Sequence, residues 1–482
     1  MPATVNTGDG NIVADAAGNS YQAVSFPKVD SLNNVIGMWP LITKRSPTGE
    51  ILWSKHLGKD FKFPSNPGSK AIIKFANDGG ILVAMTFYNQ ADQLPVATFP
   101  ANAAMVTKLN TAGVVEWTRA FTIPSIRHII PGTNQLETYT RRNLTGMYVD
   151  SRFGVIILYG ADGIGTDWRQ KGFFTFLNQD GSLIGTRYLD LPLQPGISSS
   201  APVEIVGRPG GGIIVIGEYS SRPTMFTSVG PIQTYAFRTG AYGAARGTSV
   251  LFGSSVRNPA TDSAQTLVRP GVAVSRSNGS VIINNSIYES LIELDVNLNP
   301  TAHLKINSPS MNIIRNMERL GNTDHIYLYT KSATLSGTSP QWPRGHTFTD
   351  GHAFILGPTN QIMEEKYFGF GNSSSSLSSG TPQAGGYHLL SFSNAGRSGV
   401  TVSAAGVSQT YFNEWKQLSL ANGATFEADL SRTCYPSLLS PIPQPQIYQI
   451  AFGLGPIVPQ QVLIPVLQTT DATDVVWKYV RN

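Results

Sequence analysis

Short apolar runs alternate with turns rich in glycine, asparagine and aspartate along most of the chain. Ile213–Ile216 and Val155–Leu158 are continuous apolar runs of strand length, and each follows a glycine-containing turn. The dipeptides Asn278-Gly279 and Asp78-Gly79 are strong signals of tight turns between antiparallel strands, because such turns need positive φ angles. The pattern therefore predicts a succession of β-hairpins.

One hairpin sequence repeats. Thr43–Trp53 aligns with Thr107–Trp117, with Thr, Lys, Gly and Trp at the same offsets and 64 residues between the copies. Weaker copies lie at Phe174–Ile184, Leu294–Pro300, Phe354–Ile362 and Trp415–Phe426. A fixed period of this length indicates a repeat architecture.

A second kind of hairpin precedes each copy, so that two hairpins make a four-stranded antiparallel unit. Seven such units begin near residues 11, 71, 145, 203, 271, 313 and 387. We therefore predict an all-β chain that forms a β-propeller of four-stranded antiparallel blades, seven in number, over residues 1–433. Two stacked β-sandwich domains are the alternative, since that fold also has many short strands.

The longer connections of this propeller are predicted as loops. They are Lys59–Ser69, Thr122–Asn143, Ser221–Pro231, Thr334–Asp350 and Asn372–Gly386. Residues 434–445 are predicted to form a proline-rich linker, because prolines interrupt the ladder of a sheet. The irregular segment 446–482 then either supplies a ring-closing strand or forms an arm that contacts a neighbouring chain.

Composition narrows the class of protein. Charged residues make up 13% of the 482, with 48 glycines, 31 prolines and one cysteine, which argues against a coiled coil and excludes an intrachain disulfide. The net charge is +5, but Arg141-Arg142 is the densest basic run, so no nucleic-acid partner is expected. No apolar stretch approaches the length of a membrane helix and the first residues do not resemble a secretory signal, so no membrane insertion is expected.

The turn from Asp15 to Tyr21 and the motif from Thr107 to Trp117 together resemble the bacterial β-propeller repeats called SBBP. The resemblance is good over about residues 11–121 and weaker beyond. It implies the propeller fold and carries over no catalytic residue, because these motifs belong to the scaffold.

A looser resemblance, in composition and architecture, is to phage tail structural proteins with β-propeller domains. It implies a virion protein acting as a rigid, non-enzymatic scaffold in a tail nozzle, hub or fibre, present in the host cytoplasm during assembly. Its partners would be other virion tail proteins and copies of itself. A bacterial surface protein delivered without a cleavable signal is another reading.

Candidate chemistry is sparse. The seven histidines have no close metal-binding spacing, and Cys434 has no histidine nearby, so we expect no metal, no cofactor and no enzyme activity. Two tryptophan–arginine pairs, Trp168 with Arg169 and Trp342 with Arg344, lie in predicted loops and are the candidate interaction residues.

An aromatic ring beside an arginine can stack on a sugar or anchor a protein interface. The alternative function is therefore a carbohydrate-binding or carbohydrate-cleaving propeller that contacts a host surface glycan. Packing of each loop on its own blade is the other explanation for these pairs. Trp53 and Trp117, in contrast, are repeat positions and are predicted to lie in the core.

Overall fold

The computed structural model of the chain consists of β-strands and turns in the residues that it describes. These are residues 11–29, 35–47, 50–58, 71–88, 102–122, 127–129, 136–164, 170–190, 199–209, 211–220, 232–240, 249–252, 270–285, 290–305, 312–319, 321, 323–332, 351–369, 376–382, 388–394, 397–404, 407–415, 426–428, 437–438, 451–452, 461–462, 469–471 and 475–481. Within these ranges no helix is long and apolar enough to cross a bilayer.

The first half of the chain folds into consecutive antiparallel meanders. The first has β1 (Asn11–Ala14), β2 (Ser20–Val29), β3 (Val35–Arg45) and β4 (Ile51–Leu57). The next has β5 (Ile72–Phe75), β6 (Ile81–Tyr88), β7 (Asn102–Leu109) and β8 (Val115–Thr122). The short β9 (Arg127–Ile129) then leads into β10 (Leu136–Val149), β11 (Ile156–Ile164), β12 (Gln170–Leu177) and β13 (Leu183–Asp190).

The same arrangement continues in the second half. It contains β14 (Ser199–Gly207), β15 (Ile213–Ser220), β16 (Ile232–Thr239) and β17 (Ser249–Phe252), then β18 (Pro270–Ser275), β19 (Val281–Asn285), β20 (Ser290–Leu294) and β21 (Pro300–Lys305). These are followed by β22 (Asn312–Arg319), β23 (Ile326–Ser332), β24 (Gly351–Leu356) and β25 (Ile362–Gly369), and by β26 (Ser376–Pro382), β27 (His388–Asn394), β28 (Arg397–Ala404) and β29 (Val407–Trp415).

The last part of the chain supplies short strands that join sheets already formed. They are β30 (Phe426–Ala428), β31 (Ser437–Leu438), β32 (Ala451–Phe452), β33 (Gln461–Val462), β34 (Thr469–Asp471) and β35 (Val475–Arg481). We call residues 426–481 the C-terminal belt. Ser437 and Leu438 pair with β21 although they lie in the proline-rich segment, because the pairing is only two residues long.

The meanders form a closed ring, which confirms the all-β propeller with four-stranded antiparallel blades. Their first strands contact one another in succession, and β26 of the last meander contacts β1 of the first. The described strands make six hydrogen-bonded sheets, so the prediction of seven blades is corrected to six. The two meanders β10–β13 and β14–β17 belong to one ten-stranded sheet, in which Gln170 of β12 pairs in parallel with Ser199 of β14.

The core lies between neighbouring blades. Val215 packs in a cluster with Phe174 of the preceding meander, whereas Ile214 packs with Val281 of the following one. Successive side chains of a strand point to opposite faces, so a strand that is covered on both faces is apolar at every position. This explains the uninterrupted apolar run Ile213–Ile216.

Two of the predicted loops were wrong. The predicted loop Asn372–Gly386 contains β26, and the predicted loop Thr122–Asn143 contains β9 and the first half of β10. The predicted hairpin Trp415–Phe426 lies outside the described residues except for its two ends, of which Trp415 ends β29 and Phe426 begins β30, the strand that pairs with β25. These strands have mixed or polar sequences and take their structure from the sheets that receive them.

Candidate functional site

The four candidate interaction residues, Trp168, Arg169, Trp342 and Arg344, lie outside the described residues. Trp168 and Arg169 belong to the connection from β11 to β12, and Trp342 and Arg344 to the connection from β23 to β24. Each is the second connection of its meander, and second connections leave the ring at the end opposite to the first and third. The strand ends that flank these two connections therefore lie at the same end of the propeller, and the binding role of the two tryptophans stays a prediction.

The other end of the ring carries tight turns with a repeated geometry. In the turn after β7 the amide of Gly113 donates to the carbonyl of Asn110 at 2.9 Å, and the amide of Asn110 donates to the carbonyl of Val114 at the same distance. Gly113 has a φ of 78°, which favours glycine. Equivalent hydrogen bonds recur in the turns after β1, β5, β12, β18 and β20.

These turns contact the preceding meander through the tryptophans of the sequence repeat. The indole Nε1 of Trp53 donates to the carbonyl of Thr111 at 3.2 Å, and a Cβ on Gly113 would lie 3.2 Å from the Trp53 ring. Trp117 repeats the contact one meander later, where a Cβ on Gly181 would lie 3.0 Å from its ring. Trp117 is buried as predicted, whereas Trp53 is only half-buried, and both join neighbouring meanders.

The threonine of the repeat has its own role. Thr107 donates its hydroxyl proton to Thr118 on the next strand at 3.2 Å. The pairs Thr43–Ser54, at 3.0 Å, and Thr175–Thr186, at 2.7 Å, occupy the same position of their meanders. A hydroxyl paired in this way can be buried without leaving an unsatisfied polar group. The repeat therefore encodes packing and contacts between blades.

The inner strands carry the most distinctive irregularity of the ring. Bulges or register shifts interrupt the pairing of β10, β14, β18, β22 and β26 with their second strands, at Leu144/Gly146, Pro202/Glu204, Pro270/Ala273, Ile314/Asn316 and Leu377/Ser379. In β10, β14, β22 and β26 the shift falls opposite the fourth and fifth residues of the second strand, and in β18 it falls opposite the third and fifth. We call this feature the bulge ring. Bulges redirect side chains and are common beside functional sites.

Two members of the bulge ring contact each other directly. Thr145 of β10 donates its hydroxyl proton to the carbonyl of Pro202 on β14 at 2.9 Å. The hydroxyl of Tyr159 donates to Glu204 Oε1 at 3.0 Å, also between these two meanders. Burial, and after it the charge of Glu204, raises the pKa of the Tyr159 hydroxyl well above its usual value. The phenol is therefore a neutral donor at physiological pH.

A second buried hydroxyl–carboxylate pair lies within one meander. Tyr188 of β13 donates to Asp162 Oδ2 at 2.6 Å, and Asp162 is fully buried. A buried carboxylate needs such a donor, because an unpaired charge in this position is costly. Sequence analysis did not find these pairs, since their partners are 26 and 45 residues apart and follow no motif.

A buried arginine joins the meanders of β18–β21 and β22–β25. The guanidinium of Arg276 donates to the carbonyls of Asp324 and Gly357, at 2.9 and 3.2 Å, and to Asn360 Oδ1 at 2.7 Å. Its Nε lies 3.3 Å from Glu293 Oε1. Among the described residues no group of three histidine, cysteine, aspartate or glutamate side chains could hold a metal ion.

No family model matches the chain, and no curated protein matches it. Solved structures of similar fold include the virginiamycin B lyase of Staphylococcus aureus, at 10% identity, a TM-score of 0.39 and coverage of 82% of this chain and 93% of that one. The GH93 α-L-arabinofuranosidase of Fusarium graminearum has 11% identity, a TM-score of 0.43 and coverage of 68% and 88%. The Dos1 propeller has 10% identity, a TM-score of 0.42 and coverage of 83% and 92%.

These similarities agree with the β-propeller fold implied by the SBBP resemblance. They give no support to the resemblance to phage tail proteins. Two of the similar structures, the lyase and the arabinofuranosidase, are enzymes. The prediction that this chain is not an enzyme was therefore wrong.

Proposed function

We propose that the chain is a load-bearing scaffold subunit of a larger assembly, and that this assembly is a phage tail. The observation that carries the proposal is the C-terminal belt. A scaffold that transmits force must keep its ring closed, and the belt joins the last part of the chain to six meanders in turn.

The belt runs around the ring in reverse chain order. Its strands pair antiparallel with the outer strands β25, β21, β13, β8 and β4, and finally β35 pairs with β29. Each of these outer strands would otherwise present an unpaired edge, which is where sheets open and associate wrongly. Opening the ring at any junction that the belt crosses therefore also requires the belt to leave at least one sheet.

Contacts between the blades reinforce the ring from within. Trp53 and Trp117 rest on the turns of the following meanders, and Arg276 binds three groups of its neighbour. Buried polar contacts such as those of Arg276 favour one rigid arrangement. Rigidity between blades and a belt around them both suit a mechanical role.

The proposal is tested on phage particles induced from a strain that carries the gene. We expect the full chain to copurify with intact tails at a constant ratio to the other tail proteins, as measured by quantitative mass spectrometry. A matched preparation from a strain that encodes the chain truncated after residue 425 should give tails that lose the protein on mild heating. Absence of the full chain from purified tails would contradict the proposal.

A further inference from the structure

The outermost strand of the last sheet differs from the other outermost strands in length. β35 has seven residues, whereas β17 has four, β30 and β34 have three each, and β31, β32 and β33 have two each. β35 pairs with β29 along its whole length, from Arg481 opposite Gln409 to Val475 opposite Trp415. In the described part of the chain no strand pairs with its other edge.

An outer edge of this length presents backbone N–H and C=O groups to another strand. Proteins protect exposed edges by keeping them very short, by proline or by charge. The five shortest outer strands follow the first of these rules, and β35 does not. Its sequence, from Val475 to Arg481, is rich in β-branched and aromatic residues and contains no glycine or proline, which favours further strand pairing.

We propose that the outer edge of β35, which no described strand covers, pairs antiparallel with β35 of a second copy of this chain, around a two-fold axis. The chain already covers its other sheets by adding a strand of its own, and strand addition at an edge is a common way to bind a partner. A two-fold axis through Trp477 places Val476 opposite Lys478 and Val475 opposite Tyr479. In this register neither Lys478 nor Arg481 lies opposite a like charge, whereas an axis through Lys478 would place the two lysines opposite each other.

The contact is small. Five residue pairs bury less surface than the roughly 1,200–2,000 Å² of a stable interface, so we expect a dissociation constant in the micromolar range or weaker. Such an interface forms where copies are held close together. This inference rests on the proposed scaffold function only for where the copies meet, namely in an assembly. The pairing itself can be measured with the isolated protein.

The experiment compares Trp477→Pro with Lys478→Pro. Adjacent N–H groups of a strand point to opposite edges, so one proline removes a donor to β29 and the other removes a donor at the outer edge. Sedimentation is measured from about 1 µM to about 1 mM of full-length protein. We expect wild-type protein to dimerise. The variant whose proline removes the donor at the outer edge should keep the wild-type Tm and dimerise at least about tenfold more weakly.

A wild-type chain that stays monomeric over this range would overturn the inference, as would dimers that persist in both variants. If the chain is found in tails but does not dimerise, the scaffold function stands and the β35 pairing is wrong. If it dimerises through β35 but is absent from tails, the pairing stands and the scaffold function is wrong.

Discussion

The phenol of Tyr159 crosses over Gly146 to place its hydroxyl 3.0 Å from Glu204 Oε1 on the next meander. Tyr159 lies on β11, Gly146 on the adjacent inner strand β10, and Glu204 on β14. A Cβ on Gly146 would lie 2.0 Å from the Tyr159 ring, so the glycine is what lets the side chain cross. The bulge between Leu144 and Gly146 sets this crossing point.

Replacing Tyr159 with phenylalanine should destabilise the protein by about 1–2 kcal/mol, because a carboxylate loses a buried donor. Tyr235→Phe is the matched control. Tyr235 is also fully buried, but its hydroxyl has no hydrogen bond within the described structure, so its removal should be neutral or slightly stabilising. The free energy of unfolding in urea measures both effects, and equal losses in the two variants would contradict the role of Glu204.

Gly146→Ala should cost about 2–3 kcal/mol, since the new methyl group overlaps the Tyr159 ring. Gly240→Ala provides the control, because a Cβ there would meet no heavy atom within 4 Å and the backbone is not left-handed. Adding Tyr159→Val to Gly146→Ala removes the overlap, so the double variant should be more stable than the two single losses predict. Strict additivity in the unfolding experiment would show that the two side chains do not compete for space.

Stability should fall steeply above pH 10. Burial, and after it the charge of Asp150, raises the pKa of the Tyr148 hydroxyl to about 12. Between pH 10 and 12 the unfolded chain therefore loses a proton that the folded chain keeps, and the free energy of unfolding decreases. Tyr148 alone accounts for about 2–3 kcal/mol of this decrease.

Tyr159, Tyr235 and Tyr329 add to the decrease, because burial raises their pKa values as well. Urea unfolding at pH 9 and pH 11.5 measures the total, and Tyr148→Phe should make the difference between the two pH values smaller. A Tyr148→Phe variant with the wild-type difference would show that this phenol ionises equally in both states.

The repeat at Thr43–Trp53 and Thr107–Trp117 predicted the fold because its residues perform local tasks. A tight turn needs its glycine, and a strand between two blades needs apolar residues on both faces, so both leave a sequence signal. The number of sheets did not follow from this pattern. The parallel pairing of Gln170 with Ser199, which merges two meanders into one sheet, involves one residue pair and has no signature.

The contacts of the bulge ring were also beyond sequence analysis. Tyr159 and Glu204 are 45 residues apart, and neither belongs to a motif. The pairing of the C-terminal belt depends on which edges remain open once the ring has formed. A two-residue strand such as Gln461–Val462 has no periodicity to detect, so its partner β8 is determined by tertiary structure alone.

Arg276→Met should destabilise the protein by about 3 kcal/mol, because it removes the buried guanidinium and leaves the partly buried carboxylate of Glu293 without its cation. Arg276→Lys should recover only part of this loss, since an ammonium group cannot reach the two carbonyls and Asn360 together. Arg152→Met is the control at an exposed arginine and should change stability by less than about 1 kcal/mol. Full recovery by lysine would show that charge alone, without the geometry of the guanidinium, joins the two meanders.

Removing the C-terminal belt tests whether it holds the ring closed. Truncation after residue 425 uncovers the outer edges of β4, β8, β13, β21, β25 and β29, so we expect a lower Tm, an unfolding rate at least about tenfold higher and aggregation through the exposed edges. Supplying residues 426–482 as a separate chain during expression should restore the Tm, because the edges still accept the strands. A truncated chain that stays monomeric with the wild-type unfolding rate would mean that contacts such as those of Trp53 and Arg276 are sufficient, and the scaffold proposal would lose its main support.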